Sequence, residues 1–109
     1  MAVSDVKPGI LDRLAAGDML ILDGATGTYL QDHGLESGAS PELMNADDPE
    51  TIKGMAEQYF DAGSDIVQTN TFGGNKFMLK KYSADDRLFE LNRLAAEHAR
   101  SAAPEGKYV

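Results

Sequence analysis

The stretch Asp48-Pro49-Glu50-Thr51-Ile52-Lys53-Gly54-Met55-Ala56-Glu57-Gln58-Tyr59-Phe60-Asp61-Ala62-Gly63-Ser64-Asp65-Ile66-Val67-Gln68-Thr69-Asn70 decides the fold class. Its first part predicts a helix. Asp48 can accept from the orphan N–H groups, Pro49 suits the first turn, and Glu50 favours the positive end. Ile52, Met55, Ala56, Tyr59 and Phe60 recur at i, i+3, i+4, i+7 and i+8, which makes one buried stripe. Gly63 is the expected stop, and residues 65–70 then predict a strand. Gly54 lies inside the helix, where glycine costs about 1 kcal/mol against alanine unless it permits close packing.

Towards the N-terminus, residues 19–22 form a continuous apolar run ending in Asp23-Gly24, as in a strand buried on both faces. Before it, Ile10, Leu11, Leu14 and Ala15 predict a helical face over residues 9–16, stopped by Gly17. After it come the small-residue loop Gly24-Ala25-Thr26-Gly27-Thr28, a short helix through Tyr29, Leu30 and Gln31, and an irregular connection over residues 34–48. Towards the C-terminus, residues 76–82 predict a short helix. Ser83 then looks like the cap of a long one, with Asp85 and Asp86 in its first turn and Leu88, Leu91, Ala95, Ala99 and Ala102 on one face. Pro104-Glu105-Gly106 breaks that helix, and Lys107-Tyr108-Val109 opens a third strand. Strands alternating with helices imply a parallel sheet with helical crossovers, hence an α/β fold. Two βα units and an opening third strand leave edges uncovered, so the chain reads as unfinished and prone to self-association through those edges.

The whole sequence has 109 residues, with 18 Asp and Glu against 10 Lys and Arg, for a net charge of −8. That acidity argues against a nucleic-acid groove or an anionic-membrane patch, and the length suits one small domain or part of a larger one. Cysteine is absent, so neither a disulfide framework nor a thiolate metal site can form within these residues. The start, Met1-Ala2-Val3-Ser4-Asp5, lacks the basic and apolar regions of a secretory signal, and residues 19–22 are too short to span a bilayer. A cytoplasmic protein is the expectation.

In parallel α/β architectures the ligand crevice lies beyond the carboxyl ends of the strands. Two polar, glycine-rich loops stand there: residues 23–28 and Thr69-Asn70-Thr71-Phe72-Gly73-Gly74. The first offers a carboxylate followed by unobstructed backbone N–H groups, a pairing that suits an amino-acid zwitterion. The second offers an amide and hydroxyls, which orient a ligand without adding charge. An Asp-Gly turn is the plain alternative for the first loop, and Gly24-x-x-Gly27 has neither a dinucleotide fingerprint nor a Walker lysine. His33 reads as a solvated loop residue and His98 as a helix-surface one. No nucleophile–base pair is evident, so no catalytic residue is assigned.

Asp23-Gly24-Ala25-Thr26-Gly27-Thr28-Tyr29-Leu30-Gln31, Pro41-Glu42-Leu43-Met44-Asn45, Pro49-Glu50 and the run from Tyr59 to Phe72 together resemble the homocysteine S-methyltransferase family. The homocysteine-binding barrels of cobalamin-dependent methionine synthase and betaine–homocysteine methyltransferase belong to it. Asn92, Ala95, Ala96, Ala99 and Arg100 fit the family's next helix. The resemblance implies a (β/α)8 TIM barrel, of which residues 1–109 would be the N-terminal part. It further implies transfer of a methyl group to homocysteine, giving methionine, with zinc activating the thiol through cysteines that lie downstream of these residues. Methylcobalamin, S-methylmethionine, S-adenosylmethionine or a betaine would be the methyl donor. Carried over, Asp23, Gly24, Ala25 and Thr26 belong to the homocysteine pocket, and Thr69, Asn70 and Thr71 line the same mouth. The 109 residues alone would be inactive. A corrinoid-linked methyltransferase or demethylase with another substrate, or a non-catalytic α/β binding module, is the alternative.

Overall fold

The computed structural model describes residues 7–109, and Met1-Ala2-Val3-Ser4-Asp5 lies outside the described residues. Helix α1 spans Ile10–Ala15, α2 Gly27–Asp32, α3 Met44–Asp47, α4 Pro49–Asp61, α5 Lys76–Lys80 and α6 Leu88–Ala102. The best-signalled element forms as its residues dictate. Asp48 Oδ2 accepts from the Thr51 hydroxyl at 2.7 Å and its Oδ1 from the Thr51 N–H at 3.4 Å. Ile52, Met55, Ala56 and Phe60 are buried along α4. Gly63 ends the segment at φ +116°, a conformation that glycine adopts without the Cβ penalty.

Two stretches fold differently from the reading above. The connection over residues 34–48 is more regular: a 3-10 turn, Pro41–Leu43, runs directly into α3 and buries Glu42, Met44 and Asn45. Ser83 does not cap α6. It takes a left-handed φ of +56° and ends the preceding turn, where the Ala84 N–H reaches back to the Leu79 carbonyl at 3.0 Å. A 3-10 turn, Asp85–Arg87, leads instead into α6, which has no side-chain cap at Arg87.

The three expected strands are each represented by one bridged residue. Leu22 pairs with Ile66, and Ile66 with Tyr108, both in parallel. The Asp23 N–H donates to the Ile66 carbonyl at 3.0 Å, and the Val67 N–H to the Tyr108 carbonyl at 3.0 Å. The segment around Ile66 is therefore the middle one of three.

Helices α4 and α6 cover Val67, which is buried with Ala56 and Phe60 against Ala102 and Ala103. A second cluster joins Leu30 of α2 to Met44, Ile52 and Met55, and a third joins Leu79, Ala84 and Leu91. Burial of one Leu- or Phe-sized side chain contributes about 1.5–3 kcal/mol, so these clusters are what fix the helices. The apolar faces of α1 and the first bridged segment have no such cover. Leu11, Leu14, Met19, Ile21 and Leu22 are all more than half exposed except Leu14, which stands at 50%. Tyr108, by contrast, is buried, with its hydroxyl donating to the Pro8 carbonyl at 2.6 Å and the Lys7 ammonium over its ring.

Candidate functional site

The loops that follow Leu22 and Ile66 emerge side by side, because those residues are paired in parallel. Between them and the Pro41–Leu43 turn lies a cavity of about 730 Å³, within the range of small-molecule sites. Thr26, Gln68, Thr69, Asn70 and Thr71 line it together with Glu42 and Gly73, while Phe72, Met78 and Tyr82 form an apolar side. Four of the seven residues expected at the mouth are thus brought together. Asp23, Gly24 and Ala25 stand just behind them and do not line this cavity.

Asp23 is tied to the second loop through its carboxylate: Oδ2 accepts the Gln68 N–H at 3.1 Å. Burial pushes its carboxyl above the ordinary aspartate value, while the Gln68 and Asp23 backbone N–H groups pull the other way. Ala25 is held by its carbonyl, which accepts from the Tyr59 hydroxyl at 2.8 Å. Tyr59, half-buried on the α4 stripe, thereby joins the core to the first loop. A Cβ at Gly24 would sit 3.5 Å from the same hydroxyl, an ordinary contact.

In the second loop, Thr69 and Thr71 share a hydrogen bond between their hydroxyls at 2.8 Å, and the Thr71 N–H closes a tight turn on the Thr69 carbonyl at 2.9 Å. Asn70 faces inward. Its amide nitrogen donates to the Pro41 carbonyl at 2.8 Å and to Asn45 Oδ1 at 3.0 Å. Both N–H bonds of that amide are engaged, so its part in the site is to join two segments of the protein.

Several residues of the site carry no local signal. Asn45 is 1% exposed, and its amide donates to the carbonyls of Asn70 and Leu91, each at 3.1 Å. His98, expected on the helix surface, is half-buried and donates from Nε2 to the Asn45 carbonyl at 2.8 Å, since a carbonyl can only accept. Asn92 donates to the Gly74 carbonyl at 2.9 Å and the Leu88 carbonyl at 2.8 Å. Glu42, in a stretch that carries the family resemblance, is buried beside Gly73. The one local cue is a charged residue followed directly by the apolar pair Leu43 and Met44. His33, as expected, is exposed, with its ring stacked on Tyr29 at 4.1 Å.

Among the described residues, no three His, Cys, Asp or Glu side chains come together as a metal site, and the sequence has no cysteine. The described residues therefore do not fit the zinc that the family resemblance implies. What the cavity can do is bind: the threonine hydroxyls and the nearby Asp23 carboxylate suit a small polar ligand, and the Phe72 side suits an aliphatic part of it. Among the described residues, no helix is long and apolar enough to cross a membrane.

Comparison with known proteins gives this arrangement a context. The family model described as homocysteine S-methyltransferase matches residues 20–109. The chain is 36% identical over 95 residues to methionine synthase of Mycobacterium leprae (strain TN). It is also 36% identical over 95 residues to methionine synthase of Mycobacterium tuberculosis (strain ATCC 25618 / H37Rv). Each alignment covers 80% of this chain, and the chain spans about 8% of the length of these relatives.

Proposed function

Since the chain belongs to the homocysteine S-methyltransferase family, we propose that it supplies the amino-acid-binding face of an enzyme that methylates homocysteine to methionine. The observation that carries this reading is the meeting of two loops, from adjacent parallel segments, around one cavity lined by Thr26, Thr69 and Thr71. Asp23 does not line the cavity but bonds the backbone of Gln68, which does. From there its charge would attract the ligand's ammonium group, and the backbone N–H groups of Thr26 and Gly27, on the lining, would receive the carboxylate. The threonine hydroxyls would orient the ligand, and the Phe72 side of the cavity would lie along its methylene chain.

We further propose that residues 1–109 are the N-terminal part of a (β/α)8 barrel: about two βα units and the start of the third strand. Supporting this are the parallel order of Leu22, Ile66 and Tyr108 and the helices packed on one side of Val67. The uncovered Met19, Ile21 and Leu22 are the kind of surface that further strands would bury. Zinc activation of the thiol and methyl transfer, from methylcobalamin or another donor, would fall to residues outside this chain. The 109 residues alone are then inactive and prone to associate through their edges. A cytoplasmic location accompanies this reading.

Calorimetric titration of the complete polypeptide with homocysteine tests the proposal. Saturable binding is expected, and D23N should weaken it about tenfold, because an amide cannot supply the charge that holds an ammonium group. Unchanged affinity in D23N would remove Asp23 from the pocket. The pH dependence has a fixed sign. Ammonium capture needs the ionised carboxylate, so affinity is full above the raised Asp23 value and is lost as pH falls through it. In D23N this acid limb should be missing.

A further inference from the structure

Glu42 is a carboxylate only 4% exposed, and none of the ion pairs among the described residues neutralises it. Its Oε2 accepts the Gly73 N–H at 3.0 Å, and its Oε1 accepts the Ser40 hydroxyl at 3.3 Å. Burying a carboxylate is unfavourable unless donors surround it, and an apolar side chain of similar size would be buried more readily. Stability alone is therefore a poor account of its presence.

Its position offers a better one. The loop that carries Thr69 and Thr71 is held at its start by Asp23 on the Gln68 N–H, and at its end by Glu42 on the Gly73 N–H. The two carboxylates come from different parts of the chain and grip the loop on either side of the two threonines. Gly73 is what allows the second grip: a Cβ there would lie 2.9 Å from Glu42 Oε1 and 3.3 Å from its Cδ, closer than real Cβ contacts allow. Because Glu42 is buried and bonded to Ser40, it has little room to move aside.

We propose that Glu42 is a positioning residue. Its carboxylate, acting as a hydrogen-bond acceptor, holds the Gly73 end of the loop so that the Thr69 and Thr71 hydroxyls keep their places on the ligand cavity. The inference rests on the homocysteine-binding reading of that cavity, and it assigns Glu42 no contact with the ligand.

The test compares wild type, E42Q and E42L in the complete polypeptide. E42Q keeps an acceptor oxygen without the charge, whereas E42L keeps the volume without an acceptor. Hydrogen exchange of the segment over residues 69–74 and homocysteine affinity by calorimetry are the two readouts. In E42L, exchange of the segment should accelerate and the Kd should rise about tenfold or more, whereas E42Q should stay within about threefold of wild type. Unchanged exchange and affinity in E42L would overturn the proposal. A loss in E42Q as large as in E42L would also overturn it, since the charge would then be acting directly. If wild type fails to bind homocysteine, the functional reading falls, and exchange alone decides: wild-type exchange in E42L rejects positioning, acceleration rescued in E42Q supports it. Should E42L not fold, G73A displaces the carboxylate from the other side. Accelerated exchange over residues 69–74 is then expected, and wild-type exchange would reject the proposal.

Discussion

In the loop after Ile66, Asn70 and Gly73 are buried, and their polar groups reach Pro41, Asn45 and Glu42. In the loop after Leu22, Gly24, Ala25, Gly27 and Thr28 are exposed, and Tyr59 holds the backbone through the Ala25 carbonyl. The two loops border one cavity but are built on different principles. The second is fixed by a connected set of buried hydrogen bonds, each of which is strengthened by exclusion of water. The first is tied at Asp23 and at the Ala25 carbonyl and is otherwise mostly exposed. Such a division gives the cavity one wall fixed by buried hydrogen bonds and one that is mostly exposed.

Three substitutions would break or sharpen this contrast. N45A should have the largest effect. It removes an amide that is 1% exposed and leaves the Asn70 and Leu91 carbonyls and the Asn70 amide short of partners. A loss of roughly 3 kcal/mol in thermal or denaturant unfolding is expected, from several buried polar groups orphaned at once. A loss below about 1 kcal/mol would mean that the second loop is not the fixed wall. Y59F should cost less, about 1 kcal/mol for one partly exposed hydrogen bond. Its sharper effect should be faster exchange of the residues around Ala25, with residues 69–74 unaltered. G54A touches neither loop. Apart from its chain neighbours and the backbone of its own helix, no atom lies within 4 Å of a Cβ at this position, so close packing gives no reason for the glycine. It should raise stability by about 0.5–1 kcal/mol through α4 alone, with homocysteine affinity unchanged.

Legibility followed the range of the interactions involved. Helix α4 could be read because Asp48, Pro49, the apolar stripe and Gly63 are all local signals and agree with one another. Ser83 was misread for the same reason inverted: a serine before two aspartates is a local cap signal, but the turn closing on Leu79 takes the residue first. The cavity loops were legible as glycine-rich segments after apolar runs. Their anchors were not, because Glu42 meets Gly73 and Asn45 meets Asn70 only through the tertiary fold. The strand positions are legible as apolar runs, yet each holds one bridged residue.

The middle position of Ile66 has a consequence in time. Both of its partners, Leu22 and Tyr108, lie more than forty residues away along the chain. Contacts of such separation require long loops to close first, and chains dominated by them fold slowly, whereas helices form locally within microseconds. Helices α4 and α6 are therefore expected to form before the segments they cross over are aligned. Because the cavity loops begin where Leu22 and Ile66 pair, the binding site is among the last parts of the molecule to exist. During synthesis, Ile66 gains its second neighbour only when Tyr108 has been made.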